Sequence, residues 1–257
     1  MDNIRKKKGF ICDMDGVIYH GNNLLKGVKE FVNWLYKNDK SFLFLTNSSE
    51  RSPRELSQKL ERLGLDISED HFYTSAMATA SFLKSQRPGG SAYVIGEAGL
   101  INAIYQAGFS MNDVNPDYVV VGETPSYSYE KIVRAVRMVM NGSKLIGTNP
   151  DISGPMENGI VPATKALISP IELATGKQAY FIGKPNPVMM RHGIRRLGVE
   201  PEDAAIIGDR MDTDIIAGIE SSIDTVLVLT GVTDRAEIEM FPYRPMHVLE
   251  GVFEIPD

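Results

Sequence analysis

The sequence predicts an α/β protein in which parallel sheets are covered by helices and a second α/β domain is inserted into the first. Three observations predict it. Short apolar runs alternate with segments of helical periodicity along the whole chain, the pattern of parallel strands joined by crossover helices. Four of the apolar runs end in polar clusters, at Asp13, Thr46, Lys184 and Asp209. The interval from Asn47 to Gly183 far exceeds the few tens of residues of a single crossover, and it carries its own βαβαβ series. The insert is placed at residues 81–177, which leaves a discontinuous core of residues 1–80 and 178–257.

Composition narrows the function. The chain has 257 residues, 43% of them hydrophobic, enough for a sizeable core in one large or two moderate domains. A net charge of -6 argues against a nucleic acid polymer as a partner, while leaving room for a local basic patch around a small anion. No apolar run approaches the length of a membrane span. The basic run Arg5-Lys6-Lys7-Lys8 is followed by no signal-length apolar stretch and reads as a solvated lead-in to the first strand. One cysteine, Cys12, cannot form an internal disulfide, which fits a cytoplasmic location. Its place in a strand makes it a core thiol.

The elements follow in order. Phe10 to Cys12 is a short buried strand. Gly27 to Asn38 places Val28, Phe31, Val32 and Leu35 at helical spacing, with Trp34 covering the sheet. Ser41 to Leu45 is a second strand. Pro53 opens a helix to about Gly64, as proline favours the first turn. A helix over residues 74–84 closes this part. In the insert, strands are expected at 92–95, 118–121 and 144–146, with helices at 97–107, 129–141 and 164–174. The core resumes with a strand at 179–182, a helix at 187–197, a strand at 204–207, a further helix, and a strand at 225–229.

Chemistry concentrates at the strand ends. Asp13 and Asp15 are two apart, so in an extended chain they point to one side at the carboxyl end of a strand, where open α/β sheets bind ligands. Close carboxylates coexist when a cation lies between them or one holds a proton. Gly16 lets the chain turn sharply beyond them. Asp13 is a candidate nucleophile or metal ligand: a carboxylate can attack phosphorus to give an acyl phosphate that water hydrolyses. Asp15 can protonate the leaving oxygen and later activate that water. Asp209 adds a third carboxylate, and such a set suits Mg²⁺, which takes oxygen ligands together with a phosphate. Thr46 and Asn47 can hold phosphoryl oxygens or cap the next turn. Lys184, ahead of Pro185-Asn186-Pro187, is an aimed point charge or a solvated turn lysine. Asp212 reads as the N-cap of the following helix, and Asp214 as an orienting group for Lys184 or a metal-bound water, or as a cap. His20, His71, His192 and His247 are scattered and read as surface or core residues.

Magnitude favours a composite site. Phosphate monoester hydrolysis needs accelerations up to about 10²¹-fold, and general acid catalysis supplies about 10² to 10⁴. A metal and a fixed cation must carry a large share. Other phosphate motifs are weak: no Gly-x-Gly-x-x-Gly follows a strand, and neither Gly142–Thr148 nor Thr175-Gly176-Lys177 completes a P-loop.

Taken in order, the four clusters resemble the motifs of the haloacid dehalogenase superfamily. Asp13-Met14-Asp15-Gly16-Val17 looks like the first, Thr46 the second, Lys184 the third, and Gly208-Asp209 through Asp214 the fourth. Leu45-Thr46-Asn47-Ser48-Ser49, Tyr73-Thr74-Ser75-Ala76, Val121-Gly122-Glu123 and Thr148-Asn149-Pro150-Asp151 look like the NagD-type phosphatases. The resemblance implies a Rossmann-like core with a mobile α/β cap inserted between the second and third motifs. It implies Asp13 as nucleophile and Mg²⁺ ligand, and Asp15 as acid and base giving its backbone carbonyl to the metal. Asp209 completes the metal site with Asp214 in support, and Thr46, Asn47, Ser48 and Lys184 hold the phosphoryl group. Asn149 and Asp151 fall where related caps present specificity residues. The substrate it implies is a small phosphorylated metabolite, first a ribonucleoside 5′-monophosphate such as UMP or GMP. Sugar phosphates, phosphoglycolate, pyridoxal phosphate and nitrophenyl phosphate stay open. A phosphomutase would insert its cap between the first two motifs, where this chain has one helix. A superfamily ATPase or dehalogenase would lack Asp15. A non-catalytic sensor of a phosphorylated metabolite is the alternative from another class.

Overall fold

Apolar side chains at the expected spacings build two separate sheets. The computed structural model describes residues 2–156 and 159–256. The chain groups into two units, one of Met1–Thr46, Leu56–Tyr73 and Lys184–Asp257, the other of Asn47–Glu55 and Thr74–Gly183. The expected insert limits, 81 and 177, fall inside the second unit, which also takes in residues 47–55, 74–80 and 178–183; the strand expected to resume the core at 179–182 instead pairs, as Tyr180–Phe181, with Lys144–Gly147 in the second unit's sheet. Residues 1 and 257, the outer limits of the expected core, lie outside the described residues.

In the first unit, β1 (Gly9–Cys12), β2 (Ser41–Thr46), β3 (Phe72–Thr74), β4 (Ala204–Gly208), β5 (Asp224–Val228) and β6 (His247–Leu249) form a six-stranded sheet in the order β6-β5-β4-β1-β2-β3. Strand β1 runs parallel to both β2 and β4, with Cys12 opposite Phe44 and Ile207. The strand order reverses between β1 and β4, and such a switch point opens a ligand crevice beyond the carboxyl ends of the strands. Asp13 follows β1 there, and Asp209 follows β4.

Packing follows from the helical stripes. Helix Val28–Lys37 buries Val28, Phe31, Val32, Trp34 and Leu35. Trp34 meets Phe10 edge-on at 5.7 Å and stacks with Phe31, covering the sheet as expected. Full burial of a side chain such as Phe31 or Leu35 contributes roughly 1.5–3 kcal/mol. Helix Pro187–Leu197 opens with Asn186 as N-cap, its side chain accepting from the Val188 N–H, and with proline in the first turn. This helix fixes where the chain leaves Lys184.

The second unit holds a five-stranded parallel sheet. Its order is Tyr180–Phe181, Lys144–Gly147, Tyr118–Val121, Ser91–Ile95, Ser110–Met111. Helices Tyr129–Met140 and Thr164–Thr175 close a separate core around Val119, Val121, Met138, Ile168 and Ile171. Val121 pairs with Gly147, which brings Gly122-Glu123 and Thr148-Asn149 out side by side at the carboxyl ends of adjacent strands.

Several elements depart from the sequence reading. The basic run is a solvated lead-in only in part: Lys6 and Lys8 are exposed, while Arg5 and Lys7 are tied down. Asp2–Lys6 is a short helix with Ile4 buried. The Arg5 guanidinium donates to the carbonyls of Ile255 and Pro256, and Lys7 reaches the Glu202 carbonyl and Asp224. Carbonyls left open near the C-terminus supply acceptors that the local sequence does not reveal. The short strands Phe72–Thr74, Ser110–Met111 and His247–Leu249, and the antiparallel pairs Tyr19–His20 with Asn23–Leu24 and Ser153–Met156 with Gly159–Pro162, were not expected. Runs of two to four residues carry too little periodicity to register. Asp212 is no helix cap. The chain enters a π-helical turn, Met211–Ile215, and Asp212 pairs with Arg210 through two hydrogen bonds of 3.0 and 2.8 Å.

Candidate active site

The first unit gathers four predicted residues at its switch point. Asp13 extends the β1 ladder by donating its N–H to Ile207. The Lys184 ammonium, 1% exposed, lies 2.8 Å from Asp13 Oδ1 and 2.7 Å from Asp214 Oδ1, and donates to the Leu45 carbonyl. Lys184 is therefore an aimed charge, not a solvated turn residue. Burial alone would pull its pKa down; the carboxylates of Asp13 and Asp214 outweigh that, raise it, and keep the group charged.

Asp209 is 2% exposed. Its Oδ2 accepts from the Val232 N–H at 2.8 Å, while Oδ1 is buried without a hydrogen-bond partner among the described residues. Burial first, then the nearby charges of Asp13 and Asp214, pushes its pKa up to about 8. Asp214 is also raised, by burial against the pull of Lys184. Its Oδ2 accepts from the Arg210 N–H at the start of the π-helical turn, so the turn aims this carboxylate at Lys184.

Asp13, Asp209 and Asp214 each present an oxygen within 4.8 Å of the others. An all-oxygen set with one orphaned buried oxygen fits a hard divalent cation, which would satisfy that oxygen and offset the mutual repulsion. The Asp15 carboxylate stands apart from this set. It is half-exposed, with His20 Nδ1 at 3.7 Å. Burial raises its pKa, and His20 and Lys59 draw it back. Just beyond Asp15 the chain turns at Gly16, which adopts a φ of +77° and donates its N–H to the Tyr19 carbonyl. A Cβ at Gly16 would stand 2.5 Å from Asp209 Oδ2, so only glycine lets the two strand ends approach. Thr46 is buried at the end of β2.

The remaining predicted residues belong to the second unit. Asn47 Nδ2 donates to Asp151 Oδ2 at 3.0 Å, and Asn149 Nδ2 donates to the Asn47 carbonyl at 2.8 Å. Ser48, between Asn47 and the buried Ser49, is partly buried. The structure thus groups Asp13, Lys184, Asp209 and Asp214 in one cluster and Asn47, Asn149 and Asp151 in another. Sequence reasoning missed Glu123 and Ser49 as parts of the second cluster. The available signal was Glu123 two residues beyond one strand and Asn149 two beyond its neighbour.

Known proteins are similar to this chain along nearly its whole length. A family model described as haloacid dehalogenase-like hydrolase matches residues 10–110, and a HAD-hydrolase-like model matches residues 181–255. The chain is 46% identical to a dihydroxyacetone phosphatase of Corynebacterium glutamicum, over 96% of this chain and 90% of that protein. It is 40% identical to the ribonucleotide monophosphatase NagD of Escherichia coli, covering 96% and 98%. The solved structure of NagD superimposes with a TM-score of 0.91, over 97% of this chain and 98% of that one. An acid sugar phosphatase of Staphylococcus saprophyticus is 38% identical, over 98% of each chain. These relatives set aside the sensor reading. The chain belongs to the haloacid dehalogenase-like hydrolases and is a NagD-type phosphatase, a phosphoric monoester hydrolase.

Proposed function

We propose that this chain is a Mg²⁺-dependent, cytoplasmic phosphatase that hydrolyses small phosphate monoesters through an aspartyl-phosphate at Asp13. The observation that carries the reading is the buried cluster of Asp13, Lys184, Asp209 and Asp214, with the orphaned Asp209 Oδ1. Asp13, Asp209, Asp214 and the backbone carbonyl of Asp15 would hold the metal. When bound, Mg²⁺ neutralises and polarises the phosphoryl oxygens.

The chain's own groups carry the steps. An Asp13 carboxylate oxygen forms a bond to phosphorus as the ester P–O bond breaks, and the proton on Asp15 passes to the leaving oxygen. Water then attacks the acyl phosphate. Asp15, now a carboxylate, takes the water proton, the bond between phosphorus and Asp13 breaks, and inorganic phosphate leaves. Lys184, kept charged, opposes the negative charge of the transferring group throughout. Thr46, Asn47 and Ser48 hold phosphoryl oxygens. Residues 81–177 act as the cap that selects substrate, with Asp151 as a specificity group; Asn149, expected in the same role, is fully buried and serves instead to hold Asn47 and Asp151.

The substrate proposed first is a ribonucleoside 5′-monophosphate, supported by the likeness to NagD. A second reading, a triose or sugar phosphate, draws support from the 46% identity to a dihydroxyacetone phosphatase. Phosphate release from a panel of UMP, GMP, dihydroxyacetone phosphate and sugar phosphates separates them. Release should require Mg²⁺ and fall at least about 10³-fold in Asp13→Asn. Equal release by that variant, with deamidation excluded by mass, would remove Asp13 as nucleophile.

A further inference from the structure

The second unit contains a carboxylate that the reaction scheme leaves unused. Glu123 stands just beyond the Tyr118–Val121 strand, mostly buried. Its Oε2 accepts from the backbone N–H of Ser49 at 3.2 Å and from the Ser49 hydroxyl at 2.6 Å. Its Oε1 accepts from Asn149 Nδ2 at 2.5 Å. The same Asn149 amide donates to the Asn47 carbonyl, and its Oδ1 accepts from the Asp151 N–H. Asn47 Nδ2 closes the circuit on Asp151 Oδ2. Ser49 and Asn149 are fully buried. Gly122 makes room, since a Cβ there would sit 2.5 Å from Ser49 Oγ. Glu123 therefore fixes both ends of the Asn47–Ser49 segment: Ser49 directly and Asn47 through one amide.

We infer that Glu123 is a positioning residue for phosphate binding: it holds Asn47–Ser49, the segment directly after Thr46, in the conformation that presents Thr46 and Asn47 to the phosphoryl group. This rests on the reading of Thr46 and Asn47 as phosphoryl-binding groups. The requirement is for a carboxylate in particular. Both of its oxygens accept, and every group aimed at them donates. Glutamine must turn its NH₂ towards either the Ser49 N–H or the Asn149 amide. Asn149 cannot flip to suit it, because its Oδ1 already accepts from Asp151 and its Nδ2 already donates to Asn47. A buried donor left facing a donor loses its bond and its hydration together.

The test uses the full chain with Mg²⁺, 4-nitrophenyl phosphate as substrate and inorganic phosphate as competitive probe. Glu123→Gln should raise both KM and the inhibition constant for phosphate roughly tenfold, the effect of one buried hydrogen bond, with a smaller fall in kcat. Ser49→Ala should raise both about threefold. The double variant should be no worse than Glu123→Gln, since both act on one contact. A role confined to packing would lower the melting temperature and the active fraction while KM and the inhibition constant stayed at wild-type values. Thr46→Ala separates the two levels of the argument. If it weakens phosphate binding while Glu123→Gln and Ser49→Ala leave KM and the inhibition constant within twofold of wild type, the positioning role is overturned. If Thr46→Ala leaves phosphate binding unchanged, the reading of Thr46 falls, and the inference with it. Should Glu123→Gln fail to fold, unchanged constants in Ser49→Ala overturn the role by themselves.

Discussion

Replacing Asp209 by asparagine should stabilise the metal-free protein while removing its response to metal. The Asp209 pKa is pushed from the usual carboxylate range up to about 8 by burial and by Asp13 and Asp214. The native state therefore holds more protons than the unfolded chain between about pH 4 and pH 8. Stability is full below the unfolded pKa and is lost as pH rises through the folded one. At about 1.4 kcal/mol per unit, the ceiling for the ionised, metal-free site is roughly 6 kcal/mol. Asp13, Asp214 and Lys184 share and offset that charge, so the expected gain from Asp209→Asn is about 1–3 kcal/mol at pH 8. The asparagine oxygen can keep the Val232 bond, and its NH₂ would face the carboxylates. At pH 5, about one unit above the unfolded pKa instead of four, the gain should shrink to under about 1 kcal/mol. The assay is urea denaturation at both pH values, with chelator and then with Mg²⁺. Mg²⁺ should stabilise wild type more at pH 8 than at pH 5, and Asp209→Asn little at either. A variant no more stable than wild type at pH 8 in chelator, or one stabilised equally by Mg²⁺, would refute the reasoning.

Further outcomes follow from the same cluster. Lys184→Met leaves Asp13 and Asp214 without the buried cation that now touches both. It should cost about 3 kcal/mol at pH 8 and less at pH 5, read by denaturation, and abolish phosphate release. Gly16→Ala brings a methyl against Asp209 Oδ2 at a positive φ; it should cost about 1–3 kcal/mol and weaken Mg²⁺ affinity measured by calorimetry. Lys59→Gln removes a positive charge that lowers the Asp15 pKa. Since Asp15 must be protonated to serve the leaving group, the alkaline limb of the kcat profile should move to higher pH. The shift should be small because Asp15 is half-exposed and solvent screens its charge.

The sequence by itself determined the α/β class, the order of the main strands along the chain, and the four polar clusters that follow strands. Apolar runs and helical stripes are local patterns, and Asp13, Thr46, Lys184 and Asp209 are visible wherever such runs stop. It also pointed to an insert, because no single crossover fills the interval before Lys184. Tertiary structure decided which of these ends meet. The switch between β1 and β4, set by strand pairing across nearly two hundred residues of chain, brings Asp13 beside Asp209 and turns Lys184 from a turn residue into a buried cation held by two carboxylates. The π-helical turn that aims Asp214 at Lys184, and frees Asp212 to pair with Arg210, has no local signature in Met211–Ile215. Glu123 and Ser49 stayed hidden for the same reason. A lone glutamate and a lone serine carry no period, and only the parallel register of Val121 with Gly147 places Asn149 beside Glu123. Local patterns fix where a strand ends; the long-range hydrogen-bond ladder fixes what stands next to it.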